Sequence, residues 1–167
     1  MSMVYGAIDE KSREWYTYLP ELFDSIGNAQ LNYNWLITDS FCNIGNPVQD
    51  MVGRDGYCWI SGEDLTKLVE ENHIQWIFAV LSGFTKDVQL SDVLEHPLPY
   101  AEYGGFWHLP VSMQHPLATI EIVPWDSSLV LFFSREKDLV DQFMRGYPES
   151  EELAAYIARQ EENNDLA

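Results

Sequence analysis

A chain of 167 residues suits one core and is short for two. Hydrophobic residues make up 46% of it and aromatics 14%, which excludes a disordered chain and predicts a large aromatic core. Twenty-seven Asp and Glu against nine Lys and Arg give a formal net charge of −18, a field that repels nucleic-acid phosphates and anionic headgroups and attracts basic proteins.

Residues 3–8 read as a short edge strand weakened by Gly6. From Ser12 onward Trp15, Leu19, Leu22, Phe23 and Ile26 make one stripe of a helix, which Pro20 should kink and Gly27-Asn28 should stop. Leu31, Tyr33, Trp35 and Ile37 alternate with Asn32 and Asn34, predicting a half-buried strand over 31–38. The passage 39–56 is rich in Asp, Asn, Gly and Pro and reads as a long loop, a class of segment that often carries function. A strand over 57–60 then leads to Ser61, which with Asp64 three residues on forms a capping box. It opens a helix with Leu65, Leu68 and Val69 inward, ending near Asn72. The apolar run that follows, up to a Ser-Gly pair, predicts a central strand over 74–82 covered on both faces.

Residues 85–117 hold Pro97, Pro99, Pro110 and Pro116, which exclude regular structure across most of the passage and leave room for a short edge strand from Phe106 to Val111. The strongest local signal comes next. Two runs, 118–123 and 128–133, flank Pro124-Trp125-Asp126-Ser127-Ser128 and predict a hairpin with a connection of four or five residues. Its first arm puts Ile120 and Ile122 on one face and Thr119 and Glu121 on the other, while Leu129 to Phe133 is apolar on both and belongs deep in the sheet. Leu139, Val140 and Phe143 mark a helix opened by Ser134, and a last helix turns Leu153, Tyr156 and Ile157 inward before fraying over 160–167. The sum is one α+β domain over residues 1–167, a mainly antiparallel sheet with helices packed on one face.

Signatures of chemistry are missing from the pattern. His73, His96, His108 and His115 do not fall at spacings that put two ligands on one face, and their ordinary role is loop polarity. Cys42 and Cys58 form no Cys-x-x-Cys pair. No Gly-x-Ser-x-Gly and no glycine-rich phosphate loop occurs, and acid pairs such as Glu63-Asp64 and Glu70-Glu71 read as solvated helix faces, so neither enzyme activity nor a cofactor or metal is expected. Without a signal-peptide pattern or an apolar run of about 18 residues, the expectation is a cytoplasmic chain with no membrane partner and no nucleic acid.

Two passages remain as candidate sites. The first, 39–56, offers the charges of Asp50 and Asp55; the second, 95–110, offers Tyr100, Glu102, Tyr103 and Trp107, rings of the kind that anchor protein interfaces at small entropy cost. The competing reading of those rings is cover for the sheet edge, and that of the acidity is solubility. If both passages lie at one end of the sheet, the acids steer a partner and the rings hold it. In size, acidity and the aromatic strand Tyr33-Asn34-Trp35-Leu36-Ile37, the chain resembles the small acidic immunity proteins with which bacteria neutralise toxins. That resemblance implies a non-enzymatic protein binder that occludes a basic toxin domain. Rival readings are a small-molecule-binding domain and a hydrolase with an unrecognised site.

Overall fold

The computed structural model describes residues 3–10 and 17–166. These form seven strands, β1 (Tyr5–Asp9), β2 (Tyr33–Cys42), β3 (Tyr57–Ser61), β4 (Trp76–Thr85), β5 (Ile120–Trp125), β6 (Leu129–Ser134) and β7 (Glu151–Glu152). Six α-helices accompany them: α1 (Leu19–Ser25), α2 (Val48–Val52), α3 (Gly62–Glu71), α4 (Leu90–Val93), α5 (Lys137–Gly146) and α6 (Leu153–Leu166). The strands pair antiparallel in one sheet, in the order β3-β2-β4-β5-β6-β1-β7. This is the expected α+β class with an antiparallel sheet.

Every residue of β6 is buried, as a run apolar on both faces requires. The hairpin connection is tighter than expected, because Pro124 and Trp125 belong to β5 and pair with Val130 and Leu129. Only 126–128 turn the chain, with Asp126 and Ser127 both left-handed at φ 53° and 54°. Pro124 is tolerated inside the sheet because it falls between two pairs that join β5 to β4, Phe78 with Trp125 and Leu81 with Ile122.

Several sequence expectations change for physical reasons. Pro20 kinks nothing: it sits in the first turn of α1, where a missing N–H is no loss, while Ser12 and Trp15 lie outside the described residues. β1 is not a bare edge, since β6 and β7 flank it. β4 runs on through Ser82-Gly83, because a Cβ at 83 would collide with Ile120 and crowd the Trp35 indole; the glycine admits the ring instead of ending the strand. The 39–56 passage is partly ordered into elements, with β2 continuing past a register shift to Cys42, then α2, then a 3₁₀ turn over Gly53–Asp55. Phe106 does not begin a strand but lies in a 3₁₀ turn, Gly104–Trp107. Ser134 ends β6, and its Oγ accepts the Glu136 N–H at 2.9 Å just before α5 begins. The Ser61 half of the expected capping box is in place, its Oγ accepting from the Asp64 N–H at 3.1 Å. α6 continues to Leu166 with its last turns exposed.

The sheet is covered on both faces. One face packs Trp35, Ile37, Leu81, Ile122 and Phe132 under α1, α2, α3 and α5, with Phe132 stacked on Phe143 at 4.9 Å between centroids. The other packs Leu36, Val80, Phe84, Leu131 and Phe133 under α4, α6 and the irregular 86–119 passage, where Phe106 stacks on Phe133 at 5.3 Å. Helices thus lie on both faces and not on one alone as expected: four crowd the first, while the second takes α4 and α6, whose Leu153 and Ile157 point into it, and is otherwise closed by chain without regular structure.

Candidate functional site

That irregular cover is hung from one buried acid. Glu121 lies on the second face directly across from Ser82 of β4, and neither side chain reaches solvent. A carboxylate in such a place must collect donors or lose its charge. It does both. Ser82 Oγ donates to Glu121 Oε2 at 2.9 Å, the Gln114 N–H to Oε1 at 2.8 Å and the His115 N–H to Oε2 at 3.2 Å. Burial still outweighs these donors and the Arg135 charge, pushing the Glu121 carboxyl up to about 7.

From Glu121 the contacts spread through the cover. The Gln114 side chain clasps the Tyr100 backbone, accepting its N–H at 3.1 Å and donating to its carbonyl at 2.9 Å. His115 is buried, against the expectation of loop polarity. Its ring lies 5.0 Å from Phe84 and 5.1 Å from His96. Nδ1 accepts the Leu117 N–H at 3.1 Å, which leaves Nε2 to carry the proton and donate to the Val93 carbonyl at 3.0 Å, so one neutral tautomer is fixed. Burial, foremost, lowers its pKa and favours that neutral form. A further tie is Asp39, at φ 49° beside the β2 register shift, whose Oδ2 accepts the Ala101 N–H at 2.8 Å.

Asp39 therefore joins the two candidate passages, and Gly56 comes near Leu98, since a Cβ at Gly56 would stand 3.9 Å from it. Above this seam lies a string of rings. Tyr100 meets Tyr103 at 5.7 Å, Tyr103 meets Phe106 at 5.1 Å, and the next residue, Trp107, meets Trp125 at 6.1 Å and Tyr156 at 6.2 Å. Trp125 in turn meets Phe78 at 5.7 Å, and Phe78 is paired with Phe41 across β2 and β4. Their exposure is graded: Phe41 is 62% and Tyr100 50% accessible, Tyr103 and Trp107 are half-buried, and Phe106 is enclosed. The string is thus open at both ends, Tyr100 and Phe41, and serves as sheet cover between them.

The acids divide as well. Glu102 is exposed among the rings, and Asp55 is exposed next to Gly56 at the seam. Asp50 is exposed in the first turn of α2, whose Val48 packs on the opposite face, so the structure does not bring Asp50 to the rings. Sequence reasoning passed over Asp39, Gln114, His115 and Glu121. A signal existed for Glu121 alone: an acid in strand alternation, flanked directly by Ile120 and Ile122.

Ser82, His115 and Glu121 stand together, yet they do not form a nucleophile and base. Ser82 donates to the carboxylate, and both His115 ring nitrogens are taken by backbone groups. Burial also raises both thiols, Cys42 up to about 12, which leaves neither as a ready thiolate. Among the described residues no group of three His, Cys, Asp or Glu side chains is placed to hold a metal ion, and no helix is long and apolar enough to cross a membrane. Comparison with family models, curated proteins and solved structures finds no match.

Proposed function

We propose that the chain is a non-enzymatic binding protein for a basic protein partner, which it engages through the string of rings running from Tyr100 to Phe41. One observation carries this reading: the hydrogen bond of Asp39 with Ala101 and the approach of Gly56 to Leu98 bring 39–56 and 95–110 together, with open aromatics, Tyr100 and Phe41, at the two ends of the string and exposed acids, Asp55 and Glu102, in the same passages. Exposed aromatics with charge nearby are the composition of a protein interface. The net charge of −18 selects the partner's sign and speeds its approach. A toxin domain is the class of basic partner that fits the chain's size and acidity, and occluding it would make this chain an immunity protein.

The test begins with proteins retained on the immobilised chain at low salt and released at high salt. For the partner so identified, Tyr100→Ala and Phe41→Ala should raise the dissociation rate. The pair Asp55→Asn and Glu102→Gln should instead slow association, and added salt should do the same to the unmodified chain, as the Debye length falls to about 8 Å at physiological strength. Unchanged affinity in every variant would place the interface elsewhere, and salt-independent association would remove the acidity from the mechanism.

A further inference from the structure

On the other side of the 95–117 passage, a cleft of about 780 Å³ lies between β1, the first turns of α5 and residues 109–116. It shares no lining residue with the string of rings. Clefts of roughly 300–1,000 Å³ are the size that small ligands occupy. β7 pairs with β1 only at Ala7 and Ile8, so Tyr5 and Gly6 lie beyond that pairing and line the cleft. Gly6 lets Val111 of the cleft wall pack close against β1, since a Cβ there would stand 3.0 Å from Val111 Cγ1. Three of the chain's five methionines, Met3, Met113 and Met144, are in the lining. Unbranched thioethers adapt to varied aliphatic shapes.

Charge decides what kind of molecule suits it. Among the described residues the charged side chains of the lining are two cations, Arg135 and Lys137, and two anions, Asp141 and Glu152. Lys137 Nζ lies 3.0 Å from Asp141, and Arg135 donates from Nε to the Ala118 carbonyl at 3.1 Å and from Nη2 to the Pro116 carbonyl at 3.5 Å. The lining is balanced within a chain of net charge −18. An anionic head meets Asp141, Glu152 and the overall field; a cationic head meets Arg135 and Lys137; and either ion must shed water against apolar walls. An uncharged polar head escapes all three costs, and Ser112 offers it a hydroxyl.

We propose that this methionine-lined cleft binds an uncharged, elongated aliphatic ligand of the fatty-alcohol class. The test titrates the full chain with 1-hexanol, 1-octanol and 1-decanol, and with decanoate and decylammonium, reading displacement of a neutral fluorescent naphthylamine. Affinity should rise about fourfold per added methylene, the increment expected for burying each one. Decanol should displace the probe at least tenfold better than either ion. A flat chain-length series, ions binding as well as decanol, or no displacement would overturn the proposal. Ala154 lines the cleft from the exposed side of α6, so Ala154→Trp should weaken decanol at least tenfold while the circular dichroism is unchanged. Undiminished binding in that folded variant would refute the placement. The alcohol series on the unmodified chain decides the matter whether or not the variant folds.

Discussion

The two faces of the sheet bury similar apolar side chains and are closed by opposite means. Over the first, α1, α2, α3 and α5 lay stripes of Leu, Val, Ile and Phe, each stripe written within about ten residues of sequence. Over the second, most of the cover is the 86–119 passage, shaped by side chains that grip distant backbone: Glu121 on Gln114 and His115, Gln114 on Tyr100, Asp39 on Ala101. A helical cover satisfies its own backbone groups, whereas an irregular cover must borrow partners. The second face is therefore the one whose cover hangs from long-range polar contacts, and the one where the exposed rings gather.

The adjacent pair Phe132 and Phe133 offers the largest test of this contrast, because one ring faces each cover. Both are fully enclosed, and truncating either to Ala should cost about 3–5 kcal/mol in denaturant unfolding. The consequences should differ in place. Phe133→Ala removes the ring beneath Phe106 and should speed amide exchange across 95–117, while Phe132→Ala should speed it in α5 around Phe143. Identical exchange patterns would mean that the two covers are not independent.

Next in size is the pH dependence carried by Glu121. Its folded pKa of about 7 exceeds the ordinary 4.5, so the folded state holds a proton that the unfolded chain has released. The stabilisation is complete below about pH 4.5, falls as pH rises toward 7 and is gone above it. Its full span is roughly 3 kcal/mol, from 1.36 kcal/mol per pKa unit. His115 works in the opposite sense, because its lowered pKa favours the fold above the unfolded value and is felt as a loss on acidification. The difference in stability between the unmodified chain and Glu121→Gln, measured from pH 4.5 to 8, isolates the carboxyl. It should slope against pH by most of that span. A level difference would show that Glu121 is not held protonated.

The smallest effect belongs to Asp39. Asp39→Ala strands the N–H of enclosed Ala101, a loss of about 1–3 kcal/mol, whereas Asp39→Asn keeps an accepting oxygen and tolerates the left-handed backbone, so it should cost about 0.5 kcal/mol or less. Thermal melts of the two variants separate these outcomes. Equal losses would mean that the charge, and not the acceptor, holds the passage to β2.

The same contrast marks how far the sequence could be read. The Ser61 cap with Leu65 and Val69 of α3, the doubly buried β6 and the inward Leu139, Val140 and Phe143 of α5 are all visible in it, because each signal repeats at the period of its own element. The cover of the second face was not legible, because its partners are far apart along the chain: Ser82 and Glu121 are 39 residues apart, Asp39 and Ala101 62. The rings of the candidate surface were legible as a cluster, but nothing local separated Tyr100, which is open, from Phe106, which is enclosed. Asp50 was grouped with them by closeness in sequence to Asp55, and α2 carries it to the other side of the sheet.

The position of β1 has a consequence for how the molecule is made. Its Tyr5 pairs with Ser134 and its Ile8 with Glu151, so the first of the described strands to leave the ribosome lies between the last two. At synthesis rates of about 5–20 residues per second, β1 waits on the order of ten seconds for β6 to exist. Throughout that interval Ala7 and Ile8 have no native shelter. Completing the sheet therefore waits on a pairing that spans most of the chain, a long-range closure of the kind that slows folding.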